Sequence, residues 1–313
     1  MKQQNAGNFS WLTLALVLLV PSSAGSRTGP VVAPPAQPQI MANVGWVGFN
    51  RSPKSLLADH RRLTRALTAM KPQRKGIVDA YVVVAALDGD AVFGREAREA
   101  GRVLTRRFGA EGRSIVLAAG EGGDVPAGSP SSFAIALARV AELMDRREDV
   151  LVVYTTSHGS AANGLAYRDR ARGAGAISPQ RYATLLDDAG IANRLIIVSA
   201  CFSGIFLPKL ESASSVVISA AAADRSSFGC DPGNEWTYFG DALINRALRK
   251  PQPLAAAFRE ASASVAGWEG ARKFEPSNPQ ISVGKNVQRW LAPLEKAMPK
   301  IATAPVGRSP ASK

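Results

Sequence analysis

The sequence predicts an α/β fold built around a mostly parallel central sheet. Short, continuous apolar runs recur along the chain, and such runs are typical of strands that are buried on both faces. Between them lie amphipathic segments whose apolar residues repeat every three or four positions, which is the spacing of one helix face. Strands that alternate with helices in this way form parallel sheets with right-handed crossovers.

The apolar runs are the candidate strands. The first run ends in the turn sequence Asp88-Gly89, the third ends just before His158 and the fourth ends just before Cys201. Each run has the length of a strand and is bounded by turn-forming residues. The six runs cover residues 79–86, 114–119, 150–156, 194–200, 215–221 and 280–283, of which the last is the weakest.

The amphipathic segments are the candidate helices. The clearest one follows the first strand and ends at Gly109, a residue type that commonly terminates helices. Ser131 or Ser132 and Ser178 are suitable caps for the next two helices. The candidate helices cover about residues 55–70, 93–108, 132–144 and 178–189.

Length and composition indicate one folded body with extensions at both ends. The chain has 313 residues, of which 46% are hydrophobic and 20% are charged. These values are ordinary for a globular protein and exclude a disordered, collagenous or coiled-coil chain. We assign the folded domain to residues 77–284, between a basic, proline-containing flank at 25–76 and a basic tail at 285–313, and we expect residues 77–284 to fold alone.

The net charge of +13 is concentrated in the flanks. Residues 25–76 contain nine Lys or Arg and one acid, and residues 285–313 contain six and one, whereas residues 77–284 contain 22 and 23. A neutral body does not form a groove for a phosphate backbone, so we predict no nucleic-acid binding. The basic flanks are candidates for contact with a surface or a membrane.

The first 24 residues have the pattern of a secretory signal. Lys2 supplies a positive charge, residues 11–20 are apolar, and Ser22 and Ala24 are the small residues of a cleavage site after Ala24. An uncleaved anchor or a buried first helix is the alternative. The apolar stretch is shorter than the roughly 20 residues that span a bilayer. We therefore expect an exported protein, either periplasmic or secreted.

One histidine and one cysteine follow two of the predicted strands. Reactive groups in parallel sheets lie beyond the carboxyl ends of the strands, and neighbouring strands are about 4.8 Å apart. If these two strands are neighbours, His158 could activate the Cys201 thiol as a nucleophile. The alternatives are a structural histidine and an inert buried thiol. In an oxidising compartment, a disulfide between Cys201 and Cys230 is a further alternative.

The residues around this pair resemble a known family. The segments 152–160 and 198–204, followed by 223–230 and 235–241, resemble legumain-type (C13) cysteine peptidases of the caspase-like clan, and most closely their bacterial branch. Residues 108–114 and 279–284 also fit, so the resemblance covers about residues 77–284. It implies a caspase-like three-layer sandwich with a mostly parallel central sheet.

The resemblance also implies roles for individual residues. His158 would be the catalytic base and acid, Cys201 the nucleophile, and the N–H groups of Gly159 and Cys201 the oxyanion donors. Asp88 stands where legumain has an Asn that orients the histidine; a simple Asp-Gly turn is the alternative for this position. The implied substrate is a peptide or protein.

The substrate pocket that the resemblance implies is altered in this chain. Legumain cleaves after Asn with a pocket that includes an acid two residues before the nucleophile, where this chain has Ser199, and an Arg for which Arg95 is the approximate counterpart. Asp224, Asp231 and Glu235 are either pocket residues or solvated loop acids. Loss of the acid predicts that cleavage after Asp or a small polar residue rivals or exceeds cleavage after Asn.

These observations together predict an exported cysteine endopeptidase that acts through a thioacyl-enzyme. A transpeptidase would use the same pair of residues and differ only in the nucleophile that resolves the acyl-enzyme. A non-catalytic caspase-like binding or scaffold domain is the third alternative. No zinc-type Cys/His spacing, P-loop or dinucleotide fingerprint occurs in the sequence, so we predict no metal and no cofactor.

Overall fold

The computed structural model describes residues 51–120 and 125–312. The predicted signal at residues 1–24 and the proline-rich stretch at 33–38 lie outside these residues. In the part of the chain that the structure describes, no helix is long and apolar enough to cross a membrane.

A six-stranded sheet forms the centre of the protein, in the order β2-β1-β3-β7-β8-β9. Every pair in it is parallel except the last, β8 with β9. All six predicted strands are present, and β3 and β7 are neighbours. The strands are β1 (Ala80–Ala86), β2 (Ser114–Ala118), β3 (Val150–Thr156), β7 (Arg194–Ser199), β8 (Ser215–Ser219) and β9 (Gln280–Val283).

Helices cover both faces of this sheet. The side chains of β1 alternate between two apolar clusters: Val82 and Val84 pack on one face, and Tyr81 and Val83 pack on the other. The predicted class, an α/β three-layer sandwich with a mostly parallel central sheet, is confirmed.

The helices are α1 (Pro53–Thr68), α2 (Ala91–Phe108), α3 (Pro130–Leu143), α4 (Pro179–Asp188), α5 (Leu207–Leu210), α6 (Leu254–Ala271), α7 (Gln288–Ala297), a π-helix (Gly240–Arg246) and 3₁₀ turns at Ser203–Phe206, Ala247–Arg249 and Pro310–Ser312.

A small antiparallel sheet, which the sequence pattern did not predict, follows β3. It consists of β4 (Gly159–Ser160), β5 (Gly164–Asp169) and β6 (Gly173–Ile177). Leu165 of β5 and Ile177 of β6 pair with each other, and their side chains are buried in the core. This three-stranded sheet, called the β4–β6 hairpin below, lies at the carboxyl edge of the central sheet, where Arg168 of β5 pairs with Asp88 after β1.

Both flanks that the sequence placed outside the core contribute to it. At the C-terminal end, α7 buries Trp290, Leu291 and Leu294 in the same cluster as α2. At the N-terminal end, Met70 is buried, and the Arg74 guanidinium pairs with Asp79 at 2.6 Å. The range 77–284 therefore leaves out residues that pack on the core, and trimming to it would expose part of that core.

Replacing Trp290 tests the contribution of α7. Its side chain is 1% exposed and its Nε1 donates a hydrogen bond to the Ser214 carbonyl at 3.1 Å. Trp290→Ala should lower the free energy of unfolding by about 3–5 kcal/mol, measured by urea denaturation. The matched control is Arg289→Ala, an exposed residue of the same helix, for which a change within about 0.5 kcal/mol is expected. Equal stability of the two variants would show that α7 is dispensable.

Candidate active site

His158 and Cys201 follow neighbouring strands, β3 and β7. In the last register pair of these strands Thr156 lies opposite Ser199, and the Ser157 N–H donates to the Ser199 carbonyl at 3.2 Å. The two loops beyond the strands are in close contact at Gly159. A Cβ at that position would lie 2.2 Å from the Cys201 carbonyl oxygen, so only glycine permits this approach. The fold therefore brings the two predicted residues to one place.

The imidazole of His158 is oriented from two sides. Its Nε2 lies 3.0 Å from Oδ2 of Asp90, and its ring packs edge-on against Phe93 with a centroid separation of 5.0 Å. The side chain is 36% exposed, so one edge of the ring faces solvent. A tautomer with Nε2–H donating to Asp90 leaves Nδ1 as the nitrogen that can accept a proton.

Asp90, and not the predicted Asp88, contacts the histidine. Asp88 is 1% exposed and binds the Arg168 guanidinium at 3.1 and 3.2 Å, and it accepts the Asp90 N–H at 3.0 Å. Asp90 is the N-cap residue of α2, yet its carboxylate makes no capping hydrogen bond. An N-cap Asp normally satisfies the first helical N–H groups. Here the side chain is turned toward His158 instead.

Arg168 of β5 connects the two aspartates. Its Nη2 lies 2.7 Å from Oδ2 of Asp90 as well as 3.2 Å from Oδ1 of Asp88. The hydrogen bond with Asp88 raises the pKa of Arg168 above its ordinary value, so the guanidinium stays charged. The small hairpin thus supplies a positive charge that fixes the position of the histidine's partner.

The Cys201 sulfur lies against Ser227. The Ser227 N–H donates to Sγ at 3.3 Å, and the Ser227 carbonyl oxygen lies 3.3 Å from the same atom. Phe202, the next residue, has a left-handed φ of 58°, which turns the chain sharply into the following 3₁₀ turn. Among the described residues, no group accepts a hydrogen bond from the Cys201 N–H. That donor can therefore serve a substrate.

Cys230 is a free thiol, as is Cys201, so the described structure contains no disulfide between them. Burial raises the pKa of Cys230, and the nearby Cys201 and Asp90 add to the increase. A thiol with a raised pKa is a poor nucleophile at neutral pH. The environment of Cys230 is therefore that of a structural thiol.

The predicted pocket residues make contacts with loop backbone, with neighbouring side chains and with the C-terminal segment. The Arg95 guanidinium donates to the carbonyls of Pro232 and Asn234. Asp224 is exposed and lies 3.8 Å from its neighbour Arg225. Asp231 is exposed and accepts the N–H of Gly233, as a turn residue does. Glu235 is only partly exposed and lies close to Gly307 of the C-terminal segment.

Ser199 is buried below the site and contacts a carboxylate that the sequence did not single out. Its hydroxyl lies 3.4 Å from Oε1 of Glu96, a residue of α2 that has no exposed surface. Glu96 accepts five hydrogen bonds in all. The donors are Tyr154 at 2.5 Å, Thr156 at 2.7 Å, the N–H and hydroxyl of Thr237 at 2.8 Å each, and Ser199.

This set of contacts, the Glu96 network, links α2 to the ends of β3 and β7. Burial, with Glu96 adding to it, raises the pKa of Tyr154 well above its ordinary value, which keeps its hydroxyl a donor. At Gly240, a Cβ would lie 2.1 Å from Oε2 of Glu96, so glycine is required for the loop to reach the carboxylate. The network was invisible in the sequence because its members are up to 141 positions apart.

Three side chains could approach a cation. Ligand atoms of Asp88, Asp90 and His158 lie within 4.8 Å of one another. The Arg168 guanidinium, however, already binds both carboxylates and supplies the positive charge between them. This arrangement fits an orienting cluster for the histidine better than a metal centre.

Comparisons with known proteins find one family model and a solved structure that are similar to this chain. A model of the Peptidase C13 family matches residues 128–289, which include both His158 and Cys201. Among solved structures, caspase-1 from Spodoptera frugiperda aligns with a TM-score of 0.45 and 14% sequence identity, over 69% of this chain and 93% of that chain. The search of curated proteins finds no match.

Replacing Glu96 tests whether its network supports the site. Glu96→Gln puts an amide NH₂ among groups that already donate, which leaves buried donors without an acceptor. The free energy of unfolding should fall by about 2 kcal/mol or more, measured by urea denaturation. Glu111→Gln, the same change at an exposed position, is the control, with a change within about 0.5 kcal/mol. Similar changes in the free energy of unfolding for both variants would show that Glu96 does not support the site.

Proposed function

This chain belongs to the peptidase C13 family, and from that premise we propose that it is a cysteine endopeptidase that cleaves peptide bonds through a thioacyl-enzyme. The observation that carries the proposal is the meeting of His158 and Cys201 at the ends of adjacent strands, with Gly159 packed against the Cys201 carbonyl. A free, partly exposed thiol and an oriented imidazole in one crevice are the requirements of this chemistry.

The first half of the reaction forms the acyl-enzyme. Nδ1 of His158 takes the proton of the Cys201 thiol, and the sulfur attacks the substrate carbonyl carbon. The Cys201 N–H and the Gly159 N–H donate to the negative oxygen of the tetrahedral intermediate. When the intermediate collapses, the carbon–nitrogen bond breaks, and the leaving amine takes the proton from His158.

The second half releases the product and restores the enzyme. His158 removes a proton from water, and the resulting hydroxide attacks the thioester carbon. The carbon–sulfur bond then breaks, and the sulfur recovers the proton from the imidazole. An amine in place of water would give a transpeptidation product by the same steps, which product analysis distinguishes.

Asp90 is a positioning residue in this mechanism. Its contact at Nε2 holds the ring with Nδ1 free, and Arg168 holds Asp90. The Ser227 N–H, 3.3 Å from the sulfur, favours the thiolate as the proton leaves. These contacts orient the pair before the substrate binds.

The expected preference for cleavage after Asp loses its basis. It depended on the absence of a negative charge beside Ser199, but Glu96 places a carboxylate 3.4 Å from that hydroxyl. Ser199 is itself buried, and the Arg95 guanidinium is bound by loop carbonyls. The proposal therefore concerns the reaction and a peptide or protein substrate, and it assigns no preferred side chain.

We also propose that the protein is exported, on the basis of the signal pattern in residues 1–24. Expression of the full chain in a Gram-negative host, followed by fractionation and N-terminal sequencing, tests this. A mature protein beginning at residue 25 outside the cytoplasm is expected. An intact chain confined to the cytoplasm would contradict export.

The nucleophile is tested by labelling and turnover together. A peptide carrying a thiol-reactive electrophile should label Cys201 and not Cys230, because burial raises the pKa of the Cys230 thiol. Cys201→Ala should abolish labelling and peptide hydrolysis, whereas Cys230→Ala should keep both. His158→Ala should lower kcat at least about 100-fold. Mass spectrometry of labelled peptides and assay of a mixed peptide library are the measurements.

Two outcomes would contradict this assignment. Labelling that survives Cys201→Ala would place the reactive thiol elsewhere. No cleavage of any peptide by the reduced wild-type protein, with no transfer to added amines, would favour a binding or scaffold domain.

Asp90 is tested by comparing two substitutions. Asp90→Ala removes the partner of Nε2 without removing a helix cap, and should lower kcat at least about tenfold with little change in KM. Asp90→Asn keeps an oxygen that accepts the Nε2–H and should recover much of the loss. Asp188→Ala, at an exposed position of α4, controls for the loss of a surface carboxylate. Equal kcat for Asp90→Ala and wild type would show that Asp90 does not position the histidine.

A further inference from the structure

A second concave site lies away from the candidate active site. A cavity of about 210 Å³ is enclosed by the C-terminal half of α2, residues 248–250 and residues 298–303 of the C-terminal segment. Its lining includes neither His158 nor Cys201, nor the residues Asp90, Phe93 and Ser227 that contact them. Any ligand it takes would therefore be separate from the peptide substrate.

The lining of this cavity is strongly basic. Five of its side chains are cationic, and only one, Glu99, is acidic. The Glu99 carboxylate is already shared, since Arg249 binds Oε1 and Arg102 binds Oε2. Lys250 pairs with Glu260, just outside the lining, at 2.7 Å. Two carboxylates therefore face five cations, and the lining keeps an excess of positive charge. The cationic residues are Arg102, Arg106, Arg107, Arg249 and Lys250.

Arg107 is buried and has no ion-pair partner among the described residues, although the charge of Glu295 acts on it. It is 4% exposed, and its Nη atoms donate only to neutral carbonyls, those of Leu248, Lys250 and Gln252 at 2.7–3.3 Å. In residues 51–120 and 125–312 no carboxylate forms an ion pair with it, and its Nε has no partner. Burial lowers the pKa of Arg107 to about 10, so the group is still charged at neutral pH.

Arg249, another residue of the lining, also has an Nε that is buried without a partner. Its Nη2 binds Glu99 and its Nη1 donates to the Thr303 hydroxyl at 3.3 Å. Two largely buried guanidinium groups, each with a buried Nε that has no partner, thus belong to the lining of one small cavity. Arginine's planar fork matches the oxygen atoms of phosphates, and the pairing is strongest where water is excluded.

We propose that this cavity binds a compact, multiply charged phosphoryl anion. A pyrophosphate or a phosphate monoester carries several negative charges in a small volume, which matches a cavity whose five cations face only two carboxylates. An acidic peptide spreads its charges along an extended chain and fits an enclosed cavity less well. The bound anion would join α2 to the C-terminal segment across the cavity.

The test uses inorganic pyrophosphate and the full-length protein at constant ionic strength. Isothermal titration should show saturable binding of one pyrophosphate per chain, and Tm should rise with its concentration. The variant Arg102→Gln/Arg106→Gln removes two exposed members of the lining and should weaken binding at least about tenfold. The matched control is Arg61→Gln/Arg65→Gln, which has the same spacing and charge change on α1 and exposed positions.

The source of the phosphoryl group is distinguished with vesicles. Binding to vesicles that contain phosphatidic acid, whose headgroup is a phosphate monoester, would identify a lipid headgroup as the ligand if it is lost in Arg102→Gln/Arg106→Gln and is competed by pyrophosphate. Pyrophosphate binding without such vesicle binding would identify a soluble phosphate compound. Absence of saturable pyrophosphate binding, equal weakening in the α1 control, or binding of poly-glutamate alone would each overturn the proposal.

Discussion

The buried carboxylate of Glu96 is the constraint on which the candidate active site depends. A carboxylate with no exposed surface is costly unless donors surround it, and five hydrogen bonds meet that requirement here. Two of the donors, Thr156 and Ser199, are the last residues of the strands that lead to His158 and Cys201. The need to satisfy one buried charge therefore fixes the relative position of the two strand ends.

The same helix that supplies Glu96 also supplies the partner of the histidine. Asp90 occupies the N-cap position of α2, but its side chain makes no capping hydrogen bond. Phe93, one turn later, packs against the imidazole. Toward its other end α2 presents Arg102, Arg106 and Arg107 to the basic cavity. A rise of 1.5 Å per residue separates Asp90 from Arg107 by roughly 25 Å along the helix. One rigid element thus positions groups in two separate sites.

The sequence predicted the central sheet, and the position of His158 and Cys201 at the ends of neighbouring strands, because these depend on local patterns. Strands buried on both faces are continuous apolar runs, and the residues after them must lie at one edge of the sheet. The β4–β6 hairpin was missed because segments such as Gly173–Ile177, rich in Gly and Ala, have no clear alternation. The helix α7 was missed although Trp290, Leu291 and Leu294 have helical spacing, because Pro293 lies inside it and proline normally ends a helix.

The remaining site residues depend on contacts between distant segments. Asp88 and Asp90 flank one glycine, and only the fold shows that Asp90 faces His158 while Asp88 faces Arg168. In the same way, Ser199 in place of an acid indicated the loss of a negative charge. The structure shows that Glu96 of α2, about one hundred positions earlier, places a carboxylate beside Ser199. Sequence reasoning could identify a missing charge at one position but not its replacement from another element.

The pairing of Asp90 with Arg168 resolves a conflict between orientation and charge. A lone carboxylate beside His158 would orient the ring but would also stabilise a positive charge on it, which makes the imidazole slower to return its proton. The Arg168 guanidinium, 2.7 Å from the same oxygen, offsets part of that negative charge and leaves the hydrogen bond in place. Because Arg168 belongs to β5, the hairpin that the sequence pattern failed to show is the element that balances the charge around the histidine.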